Sequence, residues 1–502
     1  MISIRESLED PSIPYQSILL SFSAAVFAFE FYLRLRQIPH LRLEKPPASI
    51  APYLIASNDP KSDQKETSES SKETSKELTA QETFERSQSY ALDKIKFSLF
   101  TSIIDQIETW AILTNLVPIY MGMDPKKPSS GIALLWNLSE TLTHKLDLIL
   151  ADRFRIGTGE IPISMVFVSL LSLMGMITSI PIDLLKTFGL EEKHGFNKQS
   201  FGLWVSDFIK TTILSALLGL PLVAVFIKVV RYAGEAFVQY VMLFVMALVL
   251  FMYVGYPYLI APLFNKYQRL SEFPEYQEVQ TRTENLAKRI NFPLGRLWVI
   301  DGSKRSAHSN AFFFGLPGLT KHIVLYDTLL KQSTPAEVEA VLAHELGHWK
   351  MNHTVTLLGL SQFQIAFSLS IFRFFIWNSA LFQAFGFSPL NSSDPFSTNK
   401  SIYPILIGFT LAQNLFTPLN SIMSFGSNSV SRRLEFQADH FAVRLGGSYA
   451  NDLKWALVRI SAENKATTSC DWLYSAFHHS HPTLPERLAR LDDEVSDGKK
   501  KK

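Results

Sequence analysis

Seven long apolar stretches decide what this chain can fold into. They run over 15–35, 98–122, 161–182, 211–231, 239–262, 354–377 and 402–425. A bilayer core of about 30 Å is crossed by about 20 mainly apolar residues wound as a helix. Backbone polar groups find no water in hydrocarbon, so such segments must bond internally as helices. The expected fold class is therefore an all-α-dominated multi-pass membrane protein. Hydrophobic residues make up 47 % of the 502 and charged ones only 19 %, which agrees. The stretches at 211–231 and 239–262 are the cleanest. The one at 98–122 is interrupted by Asp105 and Glu108, and an amphipathic or bundle-interior helix is the alternative there. Intramembrane carboxylates are costly unless they face a protein interior or a wet cavity. Glu30, Asp105 and Glu108 thus predict a polar interior.

Charge sets an orientation. Arg34, Arg36, Arg42 and Lys45 follow the first stretch, which favours a cytoplasmic flank. The first stretch is too long, and lies behind too acidic a start, to read as a cleaved signal peptide. Residues 1–14 are then lumenal and the 36–97 loop cytosolic. Within that loop, 57–83 is almost wholly Ser, Thr, Glu, Lys, Asp and Gln, and such a segment cannot bury enough apolar surface to order itself. The 378–401 loop falls on the lumenal side, where Asn391 and Asn399 begin possible glycosylation patterns. Two segments read as folded and cytosolic, 264–353 and 428–495. The first should hold a helix at 275–290, strands near 296–301, 310–314 and 322–326, and then a long helix. A basic tail, 496–502, closes the chain. It resembles a dilysine retrieval signal of the endoplasmic reticulum, and reads equally well as a solvated tail.

A formal net charge of +2 excludes nucleic acid as an electrostatic partner. A single cysteine, Cys470, excludes a disulfide framework and any Cys-rich metal site. Metal ligands must then be His and carboxylate. Thr334, Pro335 and Glu337 have the pattern of a helix start with a capping box. That helix carries His344-Glu345-Leu346-Gly347-His348. Histidines four apart share a face, so both imidazoles can reach one Zn²⁺ with Glu345 beside them to take a proton from water. A catalytic zinc needs a third protein ligand. Glu435 and Asp439, four apart on another expected helix, offer one ligand and one group to hold a ligand His by its second nitrogen. By spacing alone they could equally form a solvated acidic face paired with Arg432 and Arg433. His308 and Asn310 precede the zinc helix in an edge-strand context, and His481 lies near the end of the chain, with Arg487 beyond. Asn310 and His481 suit the peptide-binding and oxyanion roles a peptidase requires.

Taken in order, these blocks resemble the type I CAAX prenyl protease family. Beyond the zinc motif, the resemblance is carried by Phe84-Glu85-Arg86-Ser87-Gln88-Ser89-Tyr90 and Glu191-Glu192-Lys193-His194-Gly195-Phe196-Asn197-Lys198. It continues through Pro262-Leu263-Phe264-Asn265-Lys266, His308-Ser309-Asn310-Ala311, Glu435-Phe436-Gln437-Ala438-Asp439 and Ser480-His481-Pro482. It implies seven transmembrane helices forming a barrel around a large chamber, with a cytosolic zincin-like catalytic domain containing a small β-sheet. It implies one Zn²⁺ per chain, held by His344, His348 and Glu435, with Asp439 in support. His308, Asn310, His481 and Arg487 would serve the substrate, with Glu345, His481 and Asn310 closest to the chemistry. The implied activity is removal of the C-terminal tripeptide from prenylated CAAX proteins in the endoplasmic reticulum membrane, and also the inner nuclear membrane. A second, upstream cut in a lipidated precursor is a further implication, and membrane lipid is the other partner. The 57–83 insert is longer and more polar than the family pattern. Two other functions compete: a general membrane quality-control zinc protease, and a non-catalytic membrane chaperone or translocon-clearing factor.

Overall fold

The computed structural model describes residues 4–48, 50–53, 80–124, 129–150, 155–315, 320–388 and 403–500. The segment 57–83 lies outside them as far as residue 79, as do Asn391 and Asn399. Its last four residues open a long helix. The membrane portion begins with α1 (Tyr15–His40), α2 (Ala80–Leu113), α3 (Gly131–Ile149), α4 (Glu160–Leu184), α5 (Phe201–Ala233) and α6 (Phe237–Gly255). Then come β1 (Tyr267–Arg269), α7 (Gln277–Ile290), β2 (Leu294–Ile300), β3 (Ala311–Phe314), β4 (Lys321–Tyr326) and α8 (Pro335–Lys350). The chain continues through α9 (His353–Phe372), α10 (Ile405–Leu415) and α11 (Thr417–Arg444). It closes with α12 (Tyr449–Glu463), α13 (Trp472–His478) and α14 (Leu484–Lys500).

Among the described residues, four helical stretches are long and apolar enough to cross a membrane: Tyr15–His40, Glu160–Glu191, Phe201–Leu263 and His353–Phe372. The third contains both α5 and α6, so four of the seven stretches expected from sequence fall within these four, and a fifth, 354–377, overlaps the last and runs five residues past its end. Large apolar side chains on them point outward, including Ile177, Leu217, Leu243 and Phe363, each at least 65 % exposed. Outward-facing Leu, Ile and Phe in such number suit hydrocarbon rather than water. The expected span 98–122 begins on α2, which starts at residue 80 and stops at Leu113, and its remainder holds a separate short helix, Leu116–Tyr120. The expected span 402–425 is divided. Pro418 sits in the first turn of α11, where proline is tolerated, whereas inside a helix it breaks the hydrogen-bond ladder. The break ends α10, and α11 runs on as one rod from the apolar region to Arg444.

The segment that follows α6 builds a small mixed sheet laid on helices. Strand order is β1-β2-β4-β3, with β2 and β4 parallel and both outer pairs antiparallel. Strand side chains alternate between faces. Leu297, Val299, Ile323 and Leu325 share one buried core with Val338, Leu342 and Leu346 of α8. The other face carries Arg296, Trp298 and His322 toward the end of α6. Strand β3 is an edge of the sheet, as expected for 310–314. The three-residue β1 was not expected from the sequence.

Candidate metal centre

Helix α8 is locally specified. Thr334 accepts from the Glu337 backbone N–H while the Glu337 carboxylate accepts from the Thr334 N–H, and Pro335 occupies the first turn. An N-cap of this kind contributes about 1 kcal/mol and fixes where the helix starts. That start fixes which face carries His344 and His348. The face is turned toward α11, and Gly347 makes the approach possible. A Cβ there would lie 3.1 Å from Phe441 and 3.3 Å from the Ala438 backbone.

Across this contact Glu435 meets both histidines. The His344 and His348 Nε2 atoms are 3.2 Å apart. Glu435 Oε2 lies 3.4 Å from His344 Nε2, and Oε1 lies 3.3 Å from His348 Nε2. Ligands at about 2.05 Å from a tetrahedral metal stand about 3.3 Å from one another. The three side chains therefore fit one metal ion, and they form a candidate metal-holding group. Glu435 Oε2 is buried and accepts no hydrogen bond among the described residues, as suits an oxygen reserved for a cation.

Each histidine is oriented from behind. The His344 Nδ1–H donates to Asp439 Oδ1 at 2.8 Å, leaving Nε2 for the metal. Arg487 clamps Asp439 with two bonds, 2.9 Å from Nε and 2.6 Å from a terminal nitrogen. A second terminal nitrogen lies 4.0 Å from Glu435. His348 Nδ1 lies 2.9 Å from His353 Nδ1, and His353 Nε2 lies 3.1 Å from Gln437 Oε1. The amide oxygen only accepts, so the His353 proton sits on Nε2. His353 Nδ1 then accepts from His348, whose Nε2 lone pair also faces the metal position.

Electrostatics follow from burial and pairing. Burial and the Arg487 charge depress His344, but the Asp439 and Glu435 carboxylates that face its two ring nitrogens outweigh them and raise its pKa to about 9. Burial opposes the ionised form of Asp439, yet Arg487 and His344 hold its pKa down to about 2. Glu435 is likewise lowered, against its own burial, by the two histidines. Glu345 is the exception. Desolvation raises its pKa above the ordinary carboxylate value, and its side chain makes no hydrogen bond or ion pair among the described residues. An unpaired carboxylate of raised basicity beside a metal position is equipped to take and return a proton.

The remaining sequence candidates divide into two groups. His481 joins the cluster, its Nε2 3.4 Å from Glu435 Oε1 and its side chain 68 % exposed. His308 and Asn310 do not hydrogen-bond to it. His308 stacks on Phe196 at 4.2 Å and bonds to Asn464 through Nδ1 at 3.1 Å. The Asn310 side chain caps its own following residue, and its carbonyl accepts from the Tyr326 N–H. Arg432 pairs with Glu486, not with Glu435 or Asp439, so the solvated acidic face does not form. Sequence reasoning missed His353 and Gln437, although Gln437 sits between Glu435 and Asp439 in plain view.

Residues 37–266 match the family described as CAAX prenyl protease N-terminal, five membrane helices, and residues 275–495 match peptidase family M48. CAAX prenyl protease 1 of Saccharomyces cerevisiae is 36 % identical over 504 residues, covering 100 % of both chains. The chain belongs to the CAAX prenyl protease 1 family. A probable CAAX prenyl protease 1 of Schizosaccharomyces pombe is also 36 % identical, over 97 % of this chain and 90 % of that one. The fold matches the crystal structure of S. mikatae Ste24p with a TM-score of 0.79 at 35 % identity, covering 96 % of this chain and 100 % of that chain. The family resemblance read from the motif blocks thus extends over the whole length. Its N-terminal description counts five membrane helices where four apolar stretches were expected. Helix α3 is a further long helix within those bounds but is not among the four stretches long and apolar enough to cross a membrane.

Proposed function

We infer that this protein is a zinc metalloendopeptidase that removes the C-terminal tripeptide from prenylated CAAX proteins. The observation that carries the reading is the convergence of His344, His348 and Glu435 at tetrahedral spacing beside an unpaired Glu345, in a chain of this family. Bound there, Zn²⁺ supplies Lewis acidity toward a peptide carbonyl and toward water. Glu345 takes the proton of the attacking water and passes it to the leaving amine. His481, exposed next to Glu435, is placed to donate to the oxyanion that develops on the carbonyl. Strand β3 is an outer strand of the sheet, on which an extended peptide can add, with Asn310 just before its start. Asp439 with Arg487, and His353 with Gln437, hold the two histidines in position.

A cavity of about 510 Å³ lies between α9 and the α10–α11 pair. Ser361, Gln364, Ser368, Gln413, Asn420 and Ser424 line it with hydroxyl and amide groups, although α9 is one of the apolar stretches. Ser427 also lines it, and Glu435 follows eight residues later on the same helix, about 12 Å along the axis. Apolar side chains, among them Leu369, Phe372, Phe409 and Phe416, make up most of the wall, and the polar groups set among them support the seven-span barrel around a wet chamber that leads to the metal. The same reading places the site on the cytosolic side of the endoplasmic reticulum membrane.

Purified full-length protein should release a tripeptide from a farnesylated CAAX peptide, release it far more slowly from the unprenylated form, and stop with a chelator. Glu345→Gln should lower turnover by about 10²–10⁴-fold with zinc content intact. Undiminished turnover in that variant would remove Glu345 from the mechanism.

A further inference from the structure

A second cavity, of about 350 Å³, lies away from the metal set, where the sheet meets the end of α6. Tyr258, Gly295, Arg296, Trp298, Thr320 and His322 line it. Its floor is the face of β2 and β4 opposite the catalytic core, with Arg296 and His322 side by side in register. Among the described residues no carboxylate pairs with Arg296, whose guanidinium lies over the Trp298 ring at 5.8 Å. The charge is therefore unneutralised, and the Trp298 face that could hold a choline-like cation is already taken. His322 Nδ1 is buried without a hydrogen-bond partner. Burial and the Arg296 charge both hold this imidazole below its ordinary pKa. A neutral ring with a buried, unbonded Nδ1 carries its proton on Nε2, since an orphaned N–H costs more than an orphaned lone pair. Gly295 keeps this arrangement open. A Cβ there would come within 2.9 Å of the His322 ring.

We propose that this cavity binds the phosphate of an anionic phospholipid headgroup, with Arg296 supplying the charge and Thr320, Tyr258 and His322 the donors. The surroundings select a lipid over free phosphate. Tyr258 lies in the turn Tyr256–Ile260, near the end of the apolar stretch Phe201–Leu263. Tyr256, Tyr258 and Leu259 are 51 %, 60 % and 63 % exposed there. Exposed tyrosines at the end of an apolar helix mark the membrane–water interface. The Tyr253 hydroxyl, one turn earlier, donates to the Gly315 carbonyl at 3.1 Å, which ties the end of β3 to the same level. Acyl chains can then lie along the exposed side of α6, where Phe251 and Val254 face outward. No cation-accepting carboxylate stands beside Arg296, so a headgroup of net negative charge is favoured over a zwitterionic one.

The test uses full-length protein in neutral detergent, titrated with dioctanoyl phosphatidic acid and followed by thermal melting. Dioctanoyl phosphatidylcholine and inorganic phosphate serve as comparison arms. The acidic lipid should raise Tm saturably, and both comparison arms should leave it in place. Arg296→Gln should weaken the apparent affinity roughly tenfold or more, as expected for losing a charged hydrogen-bond donor. Thr320→Val should weaken it less. Arg296→Gln should keep wild-type tripeptide release when no lipid is added. A wild-type titration by Arg296→Gln, or an equal shift with phosphatidylcholine, would overturn the site. An equal shift with inorganic phosphate would overturn its assignment to lipid. Loss of cleavage in Arg296→Gln would overturn its separateness from the metal centre.

Discussion

At the scale of single residues, the two zinc-helix histidines are held by different means. His344 leans on a buried carboxylate that is itself clamped by Arg487, whereas His348 leans on the neutral pair His353 and Gln437. Outer partners of this kind set ligand tautomer and orientation, and their loss typically costs 10–100-fold in metal affinity. His353→Ala should therefore weaken zinc binding by about that factor in a chelator-competition titration. Turnover should recover when zinc is saturating, because Glu345 and the three ligands remain. An unchanged zinc affinity would show that His348 needs no help from His353. The candidate ligands were legible because one helical face and a spacing of four define His344 and His348. His353 was not. It lies beyond the end of α8, and only the left-handed turn at Asn352, with φ of +57°, folds it back onto His348. Glu435 was legible as a candidate, but spacing could not choose between a ligand and a solvated face. Burial of Glu435 and Asp439 against α8 rules out the solvated face.

At the scale of elements, the site is the seam between α8 and α11, and Gly347 controls how close they come. Gly347→Ala pits two effects against each other. Alanine in place of a helical glycine stabilises by roughly 0.5–1 kcal/mol through backbone entropy. The new methyl meets the Phe441 ring and the Ala438 backbone at 3.1–3.3 Å, and overpacking a close contact costs roughly 1–3 kcal/mol. Backbone cannot swing aside as a side chain can, so the steric cost should win and the helices should part slightly. Glu435 sits one turn before Ala438 and would draw away from the histidines. Peptide release by Gly347→Ala should fall about tenfold or more, with a lower Tm. A higher Tm with full turnover would show that the seam tolerates a methyl. The start of α8 was legible from its capping box. The division between α10 and α11 was less so, because the hydropathy of 402–425 runs straight across Pro418 and hides the break.

At the scale of the whole molecule, the two family-matched regions, 37–266 and 275–495, do not behave as separate bodies. Arg305 pairs with Asp207, and Asn197 bridges to Ser306. The first helix docks onto the far end of the chain, where Arg36 pairs with Asp471 at 2.8 Å. The contact between Arg36 and Asp471 spans 435 positions of sequence, so no local pattern in the chain could announce it. Gln37 is the buried member of this dock. Its amide donates to the Ser469 carbonyl at 3.1 Å and accepts from the Asp471 N–H at 2.7 Å. Asp471 in turn caps α13 by accepting from Leu473 and Tyr474, and α13 leads to the loop that carries His481. Gln37→Leu keeps the bulk but strands a buried N–H and a buried carbonyl, each worth about 1–3 kcal/mol when left unmade. Tm should fall by several degrees, and heat inactivation of tripeptide release should shift by the same amount, because the loosened end is the one that positions His481. A Tm within a degree of wild type would mean that other contacts alone hold the dock. Lost cleavage at an unchanged Tm would mean that Gln37 serves the site and not the joint.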